Sequence, residues 1–236
     1  MEWRLDKFLT QIPVGTRSQV KDMIKKGRVC VNGVHASKPE LKVDPENDSI
    51  TLDGKRLFYS QYAYYMLNKP AGVITATMDK KKETVLDLLD DKRKDLFPVG
   101  RLDIDTEGLL LITNDGALAH NLLSPAKHVA KTYYAKIDGM VTDEDVNLFE
   151  KGVDIGEEKL TKPAKLTILK SKPISEIELT ITEGKFHQVK RMFEAVGKRV
   201  TYLKRISMGP LVLSDDLKAG EYRKLTIEEI NLLINN

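Results

Sequence analysis

The chain has 236 residues, of which 41% are hydrophobic and 31% charged, and its formal net charge is +3. That length can bury a core without covalent staples, and the single Cys30 has no partner in the chain, which excludes a disulfide-built secreted scaffold. No apolar run approaches the roughly 18 residues of a membrane span, and Met1-Glu2-Trp3-Arg4-Leu5-Asp6 places charges where a secretory signal needs an apolar stretch, so we expect a cytoplasmic protein with no membrane partner.

The charge is unevenly spread. Residues 1–38 hold 8 Lys+Arg against 3 Asp+Glu, whereas the residues after 60 hold 27 of each. A basic N-terminal module on a neutral body suggests that the first part holds a polyanion on which the second acts. Leu5, Phe8 and Leu9, at i, i+3 and i+4, predict a short amphipathic helix that Pro13 ends. In a second helix Thr16 and Gln19 form a capping box, Val20, Met23 and Ile24 form the buried stripe, and Gly27 supplies a left-handed cap. Val29 and Val31 then alternate around Cys30 into an Asn32-Gly33 turn.

Arg17, Lys21 and Lys25 recur every four residues and share the helix face away from that stripe. Alone, such a row is usually a solvated surface. Helix, Gly27, Arg28, strand and Asn-Gly turn in this order resemble the small RNA-binding fold named after ribosomal protein S-four. The resemblance implies phosphate contacts from Arg17, Ser18, Lys21, Lys25 and Arg28. Residues 50–55 read as the last strand and turn of this module. A boundary near residues 58–62 gives two expected domains, 1–60 and 62–236.

The larger module opens with a strand running into Lys69-Pro70-Ala71-Gly72, a turn that Pro and Gly explain by themselves. Lys80, Lys81 and Lys82 fall in a loop. Next, an acid-rich turn with Asp103, Asp105 and Glu107 precedes the unbroken apolar residues 109–112, a buried strand that Asn114-Asp115-Gly116 closes as a tight turn. A short helix over 117–123 ends at Pro125. A strand over 131–137 follows, in which the adjacent Tyr133 and Tyr134 point to opposite faces. Residues 143–151 are a polar helix, 176–182 a half-buried strand, and 183–193 turn into a helix that Gly197 ends. Roughly six strand-like runs with a few short helices predict an α+β fold: a small N-terminal α/β RNA-binding domain, then a domain with a mixed, mostly antiparallel sheet.

Gly100-Arg101-Leu102-Asp103, then Thr106-Glu107-Gly108-Leu109-Leu110-Leu111 and Thr113-Asn114-Asp115-Gly116, resemble the signature of the RsuA-type pseudouridine synthases. Lys69-Pro70-Ala71-Gly72, Lys131-Thr132-Tyr133, Leu160-Thr161-Lys162-Pro163-Ala164 and the run from Glu183 to Met192 extend the likeness. It implies that Asp103 is the catalytic residue, that Tyr133 packs against the target base and that Lys190 reaches Asp103. Lys69, Arg101, His187 and Arg191 are implied as RNA contacts, and Asp105 and Glu107 as turn or RNA-contact residues. The implied partner is ribosomal RNA, 16S or a small-subunit assembly intermediate, acted on by a monomer. No cofactor is implied, and His35, His120, His128 and His187 show no metal-site spacing. Two other readings are an enzyme aimed at large-subunit RNA and a non-catalytic RNA-binding or assembly protein. Replacement of Asp103, Tyr133 or Lys190 would have favoured the second, and the segments at 160–164 and 183–192 lean away from the first.

Overall fold

The structure is a computed structural model that describes residues 2–12, 14–45, 47–57, 61–91 and 93–235; the predicted helix stop at Pro13 and most of the predicted boundary lie outside them. The chain divides into two compact units, Met1–Tyr62 with Asp91–Asp95, and Ala63–Asp90 with Leu96–Asn236.

The first unit runs β1 (Trp3–Arg4), α1 (Leu5–Gln11), α2 (Arg17–Lys25), β2 (Val29–Val31), β3 (Val34–His35), β4 (Lys42–Val43), β5 (Ile50–Leu52) and β6 (Lys55–Leu57). Four of these strands pair in the order β3-β2-β5-β6, while β1 pairs with β4. The capping box forms as expected: Gln19 N donates to Thr16 Oγ1 and Thr16 N to Gln19 Oε1. At the other end of α2, Gly27 sits at φ +67 while Arg28 N reaches Met23 O at 3.1 Å, which closes the helix with a left-handed cap. Leu5, Phe8, Leu9, Val20, Ile24, Val29 and Ile50 form the core, so Arg17, Ser18, Lys21 and Lys25 are left exposed on α2.

The second unit is built on a sheet of nine strands among the described residues. Its elements are β7 (Tyr64–Lys69), β8 (Phe97–Pro98), β9 (Glu107–Thr113), α3 (Gly116–Leu123), β10 (Lys131–Asp138), α4 (Asp143–Lys151), β11 (Lys165–Lys170), β12 (Ile174–Ile181), α5 (Gln188–Ala195), β13 (Arg199–Met208), β14 (Leu211–Val212), β15 (Tyr222–Lys224) and α6 (Ile227–Ile234). The strand order is β11-β12-β10-β13-β9-β7-β15, with β14 on β13 and β8 on β9. Only β9 and β13 pair in parallel among them. The α+β fold with a mixed, mostly antiparallel sheet is therefore as expected. Of the strands not placed individually beforehand, β8, β14 and β15 are two- and three-residue pieces too short to carry a periodic pattern, whereas β11 and β13 are six and ten residues long.

Why β9 is an unbroken apolar run is now plain. Leu110 and Ile112 enter the core that α4 and α5 cover with Phe149, Met192 and Phe193. Leu109 and Leu111 enter the core on the other face, with Leu118 and Leu122 of α3 and Leu233 of α6. Both faces of this strand are dry, and each such side chain gains about 1.5–3 kcal/mol by burial. In contrast, β12 alternates, because only Ile177, Leu179 and Ile181 face a core.

One expectation fails here. Asn114-Asp115-Gly116 is not a tight turn closing the strand but the start of α3, where Asp115 caps the helix by accepting Leu118 N at 3.0 Å. Asx residues serve turns and N-caps by the same side-chain hydrogen bond, so composition does not separate the two. No helix among the described residues is long and apolar enough to cross a membrane.

Candidate active site

The acid-rich turn between β8 and β9 is clamped from several sides. Leu102 and Thr75 bind each other twice, Thr75 Oγ1 donating to Leu102 O at 2.8 Å and accepting Leu102 N at 3.2 Å. Thr106 N donates to Asp103 O at 3.1 Å, and Gly72 N to Ile104 O at 2.7 Å. Beneath the turn lies Lys69, at the end of β7 and fully buried. Its ammonium donates to the carbonyls of Pro70 (3.0 Å), Asp103 (3.0 Å) and Thr106 (2.9 Å). This corrects the expectation that Lys69 contacts RNA: it has no surface to offer and instead holds the turn from inside. Burial pushes its pKa down to about 8, against the opposing fields of Asp105, Asp103 and Glu107. The three carbonyl acceptors favour the charged form further, so Lys69 keeps its proton at neutral pH. Replacing it as Lys69→Met would take the ammonium from the carbonyls of Pro70 and Thr106 and leave Asp103 O with Thr106 N alone, and we expect about 2 kcal/mol or more of lost stability in urea unfolding. Unfolding at the parent midpoint would refute this role.

Gly108, the second residue of β9, has φ +102. A Cβ there would lie 2.2 Å from Arg205 O, so only glycine lets β9 and β13 meet in parallel directly after the acidic turn.

The cleft above this turn is lined by Arg101, Asp103 and Thr106 from the turn, Tyr133 from β10, Ile181 from β12, Leu203 from β13, Lys185 and His187 from the segment before α5, and Gln188, Val189 and Lys190 from its first turn. Helix α5 buries Val189, Met192 and Phe193, spaced i, i+3 and i+4. That packing turns Lys190 toward the acidic turn. Its Nζ lies 3.3 Å from Asp103 Oδ2 and 2.6 Å from Asp105 Oδ1. The cation is thus shared, and its shorter bond is to Asp105, a residue the sequence assigned to the turn or to RNA. Burial works against the Lys190 charge, but the hydrogen bond to Asp105 and the field of Asp103 outweigh it and hold the ammonium above its ordinary range. Asp105 in turn is held below the ordinary carboxylate range, first by its hydrogen bond to Lys190. His187 Nε2 stands 3.5 Å from Asp103 Oδ1.

Tyr133 is 8% exposed and faces the cleft. Tyr134 points the other way, donating to Glu176 Oε2 at 2.8 Å. Glu107, also assigned to the turn or RNA, accepts the Tyr202 hydroxyl at 2.7 Å. Arg191 donates to Glu157 Oε1 (2.8 Å), to Phe186 O (3.1 Å) and to Ile155 O. Its guanidinium, a quarter exposed, ties residues 155–157 to the segment before α5, so any RNA contact would be shared with these partners. The segment Leu160 to Ala164 has a place in the same framework, for Lys162 N donates to Glu183 Oε1 at 2.8 Å, which also accepts Gln188 Nε2 at 2.8 Å. Among the described residues no group of His, Cys, Asp and Glu is arranged to hold a metal ion.

A carboxylate beside a fixed cation in a cleft with an aromatic wall suits chemistry on a base–sugar bond, and comparison with known proteins names that chemistry. Residues 63–195, which hold Asp103, Tyr133 and Lys190, match the family of RNA pseudouridylate synthases. The chain belongs to this family. Residues 3–50 match the S4 domain. An uncharacterized RNA pseudouridine synthase of Bacillus subtilis is 48% identical over 98% of both chains. Ribosomal small subunit pseudouridine synthase A of Escherichia coli K12 is 43% identical over 96% of this chain and 98% of its own. A crystal structure of a pseudouridylate synthase superposes with a TM-score of 0.69 at 38% identity, over 98% of this chain and 99% of the other. The reaction of a pseudouridine synthase breaks the N1–C1′ bond of a uridine and joins C5 to C1′; a proton leaves C5 and one is gained at N1, with no net oxidation.

Proposed function

We propose that the protein makes pseudouridine in small-subunit ribosomal RNA, with Asp103 as the reacting carboxylate, Lys190 as its counter-cation and Tyr133 as the wall against which the loosened uracil turns. The observation that carries this reading is the Lys190 ammonium held between Asp103 and Asp105 inside the cleft. A carboxylate that acts as a nucleophile at C1′, or as a base at C2′, must stay ionised where water is scarce, and a cation fixed beside it favours that state. Lys190 keeps its proton throughout the neutral range, so its part is electrostatic rather than that of a proton donor.

The small-subunit assignment rests on the Escherichia coli relative at 43% identity. Purified protein incubated with unmodified 16S and 23S transcripts, followed by nucleoside chromatography, tests it. We expect pseudouridine in the 16S transcript or in a particle assembled on it, and product in 23S alone would refute the assignment.

Because the target uridine must leave its stack to enter the cleft, the RNA needs anchors away from the chemistry. In this reading residues 1–60 supply them through Arg17, Ser18, Lys21, Lys25 and Arg28, Arg101 and His187 add contacts at the rim, and residues 62–236 carry out the reaction. The working unit is a cytoplasmic monomer on ribosomal RNA or an assembly intermediate. Arg28 also pairs with Asp53 through Nε at 2.9 Å, so its contact would be shared with that carboxylate. Each cation on a phosphate releases counterions, so the triple variant Arg17→Gln/Lys21→Gln/Lys25→Gln should flatten the slope of log K against log salt by about 2–3. An unchanged slope would remove α2 from the interface.

A further inference from the structure

Phe186 is 73% exposed and stands between Lys185 and His187, both of which line the cleft. Its ring lies on that of His187, with centroids 3.8 Å apart and planes 18° apart. His187 itself is 3.5 Å from Asp103, so one imidazole ring separates the exposed phenyl group from the reacting carboxylate. Single exposed apolar side chains are common on protein surfaces. This one differs in how firmly its backbone is held. Arg191 Nη1 donates to Phe186 O at 3.1 Å, Lys185 N donates to Gln188 Oε1 at 2.9 Å, and Glu157 ties Lys185 at 3.2 Å to Arg191 at 2.8 Å. His187 adopts φ +49, a left-handed backbone that residues other than glycine rarely take. The segment thus holds a flat apolar ring, backed by the His187 ring and largely open to solvent, next in sequence to Lys185, which with His187 and Arg101 lines the cleft. An apolar protein partner would find that cationic rim unfavourable, whereas a nucleic-acid strand supplies both the flat base and the charge.

We propose that Phe186 is a substrate-positioning residue: its open face stacks on the nucleobase next to the target uridine and holds the strand apart while that uridine occupies the cleft. This rests on the reading of the Asp103 cleft as the place where the uridine reacts. Aromatic platforms and wedges of this kind recur where proteins unstack a strand, and stacking tolerates any base because every base has a flat face.

The test uses the full-length protein and total ribosomal RNA from cells lacking it. Binding is measured in an Asp103→Asn background, so it does not depend on turnover. Phe186→Leu should weaken binding about tenfold or more with the salt slope unchanged, because a stack releases no counterions, and Phe186→Tyr should restore it. In a Trp3→Phe background the indole of Phe186→Trp is the only one in the chain, and its emission should be quenched when RNA binds. Parent-like affinity for Phe186→Leu, or unchanged emission at saturating RNA, would overturn the proposal. So would a changed salt slope, which would trace the effect to a displaced Lys185. Failure of the unmutated protein to make pseudouridine would instead refute the reading of Asp103 and leave both binding readouts in force.

Discussion

Asp103→Asn abolishes pseudouridine formation while the protein still folds and still binds ribosomal RNA with parent affinity: this is the largest effect we expect from any single substitution. The amide has the shape of the carboxylate but neither attacks carbon nor accepts a proton. The structure gives a reason for the rest of the site to survive the change. Lys190 keeps its 2.6 Å bond to Asp105, so the cation stays anchored, and the Asp103 carbonyl stays bound to Lys69 and Thr106 N. Loss of an essential nucleophile or base should exceed a hundredfold in single-turnover rate, about 2.7 kcal/mol of barrier. A variant that retains more than about one hundredth of parent activity would contradict the assignment.

The second large effect belongs to Lys190→Met. Asp105 sits below its ordinary range chiefly because of Lys190, and removing the ammonium takes the same counter-charge from Asp103. The sign follows directly: a carboxylate that loses a neighbouring cation protonates at higher pH, so the acid limb of the pH–rate profile should move upward. At neutral pH the single-turnover rate should fall on the order of a hundredfold, the scale of removing one electrostatic partner from an active site. Lys190→Arg keeps the charge with a different shape and should retain part of the activity. Arg191→Met is the control. Its guanidinium holds residues 155–157 and Phe186 O, so it should loosen that segment without moving the acid limb. If Arg191→Met shifts the profile and Lys190→Met does not, the counter-cation has been assigned to the wrong residue.

How much of this was legible before the structure depends on the reach of the interactions involved. The capping box of α2, the left-handed Gly27, the buried β9 and the opposite faces of Tyr133 and Tyr134 are local consequences of residue order, and each is where the sequence puts it. Asp115 shows the limit of local signals, since the same side chain that suggests a turn caps a helix. Lys69 was misread for another reason. A lysine near an RNA-binding motif reads as a phosphate contact, and only its long-range contacts to the carbonyls of the acidic turn show it occupied inside the protein. The sharing of Lys190 by Asp103 and Asp105 is likewise a matter of how α5 docks. The i, i+3, i+4 stripe of Val189, Met192 and Phe193 would have predicted which face of α5 Lys190 occupies, but not which of two carboxylates two residues apart it meets more closely.

The central claim, that the Asp103 cleft makes pseudouridine in small-subunit ribosomal RNA, is tested most directly by mapping pseudouridine across 16S and 23S RNA from three strains. One carries the parent chain, one lacks it and one carries Asp103→Asn at the parent level of expression. The account predicts a pseudouridine in 16S RNA that is present in the first strain and missing from the other two, with 23S RNA identical in all three. A 16S profile unchanged by deletion, or a modification that persists in the Asp103→Asn strain, would contradict it.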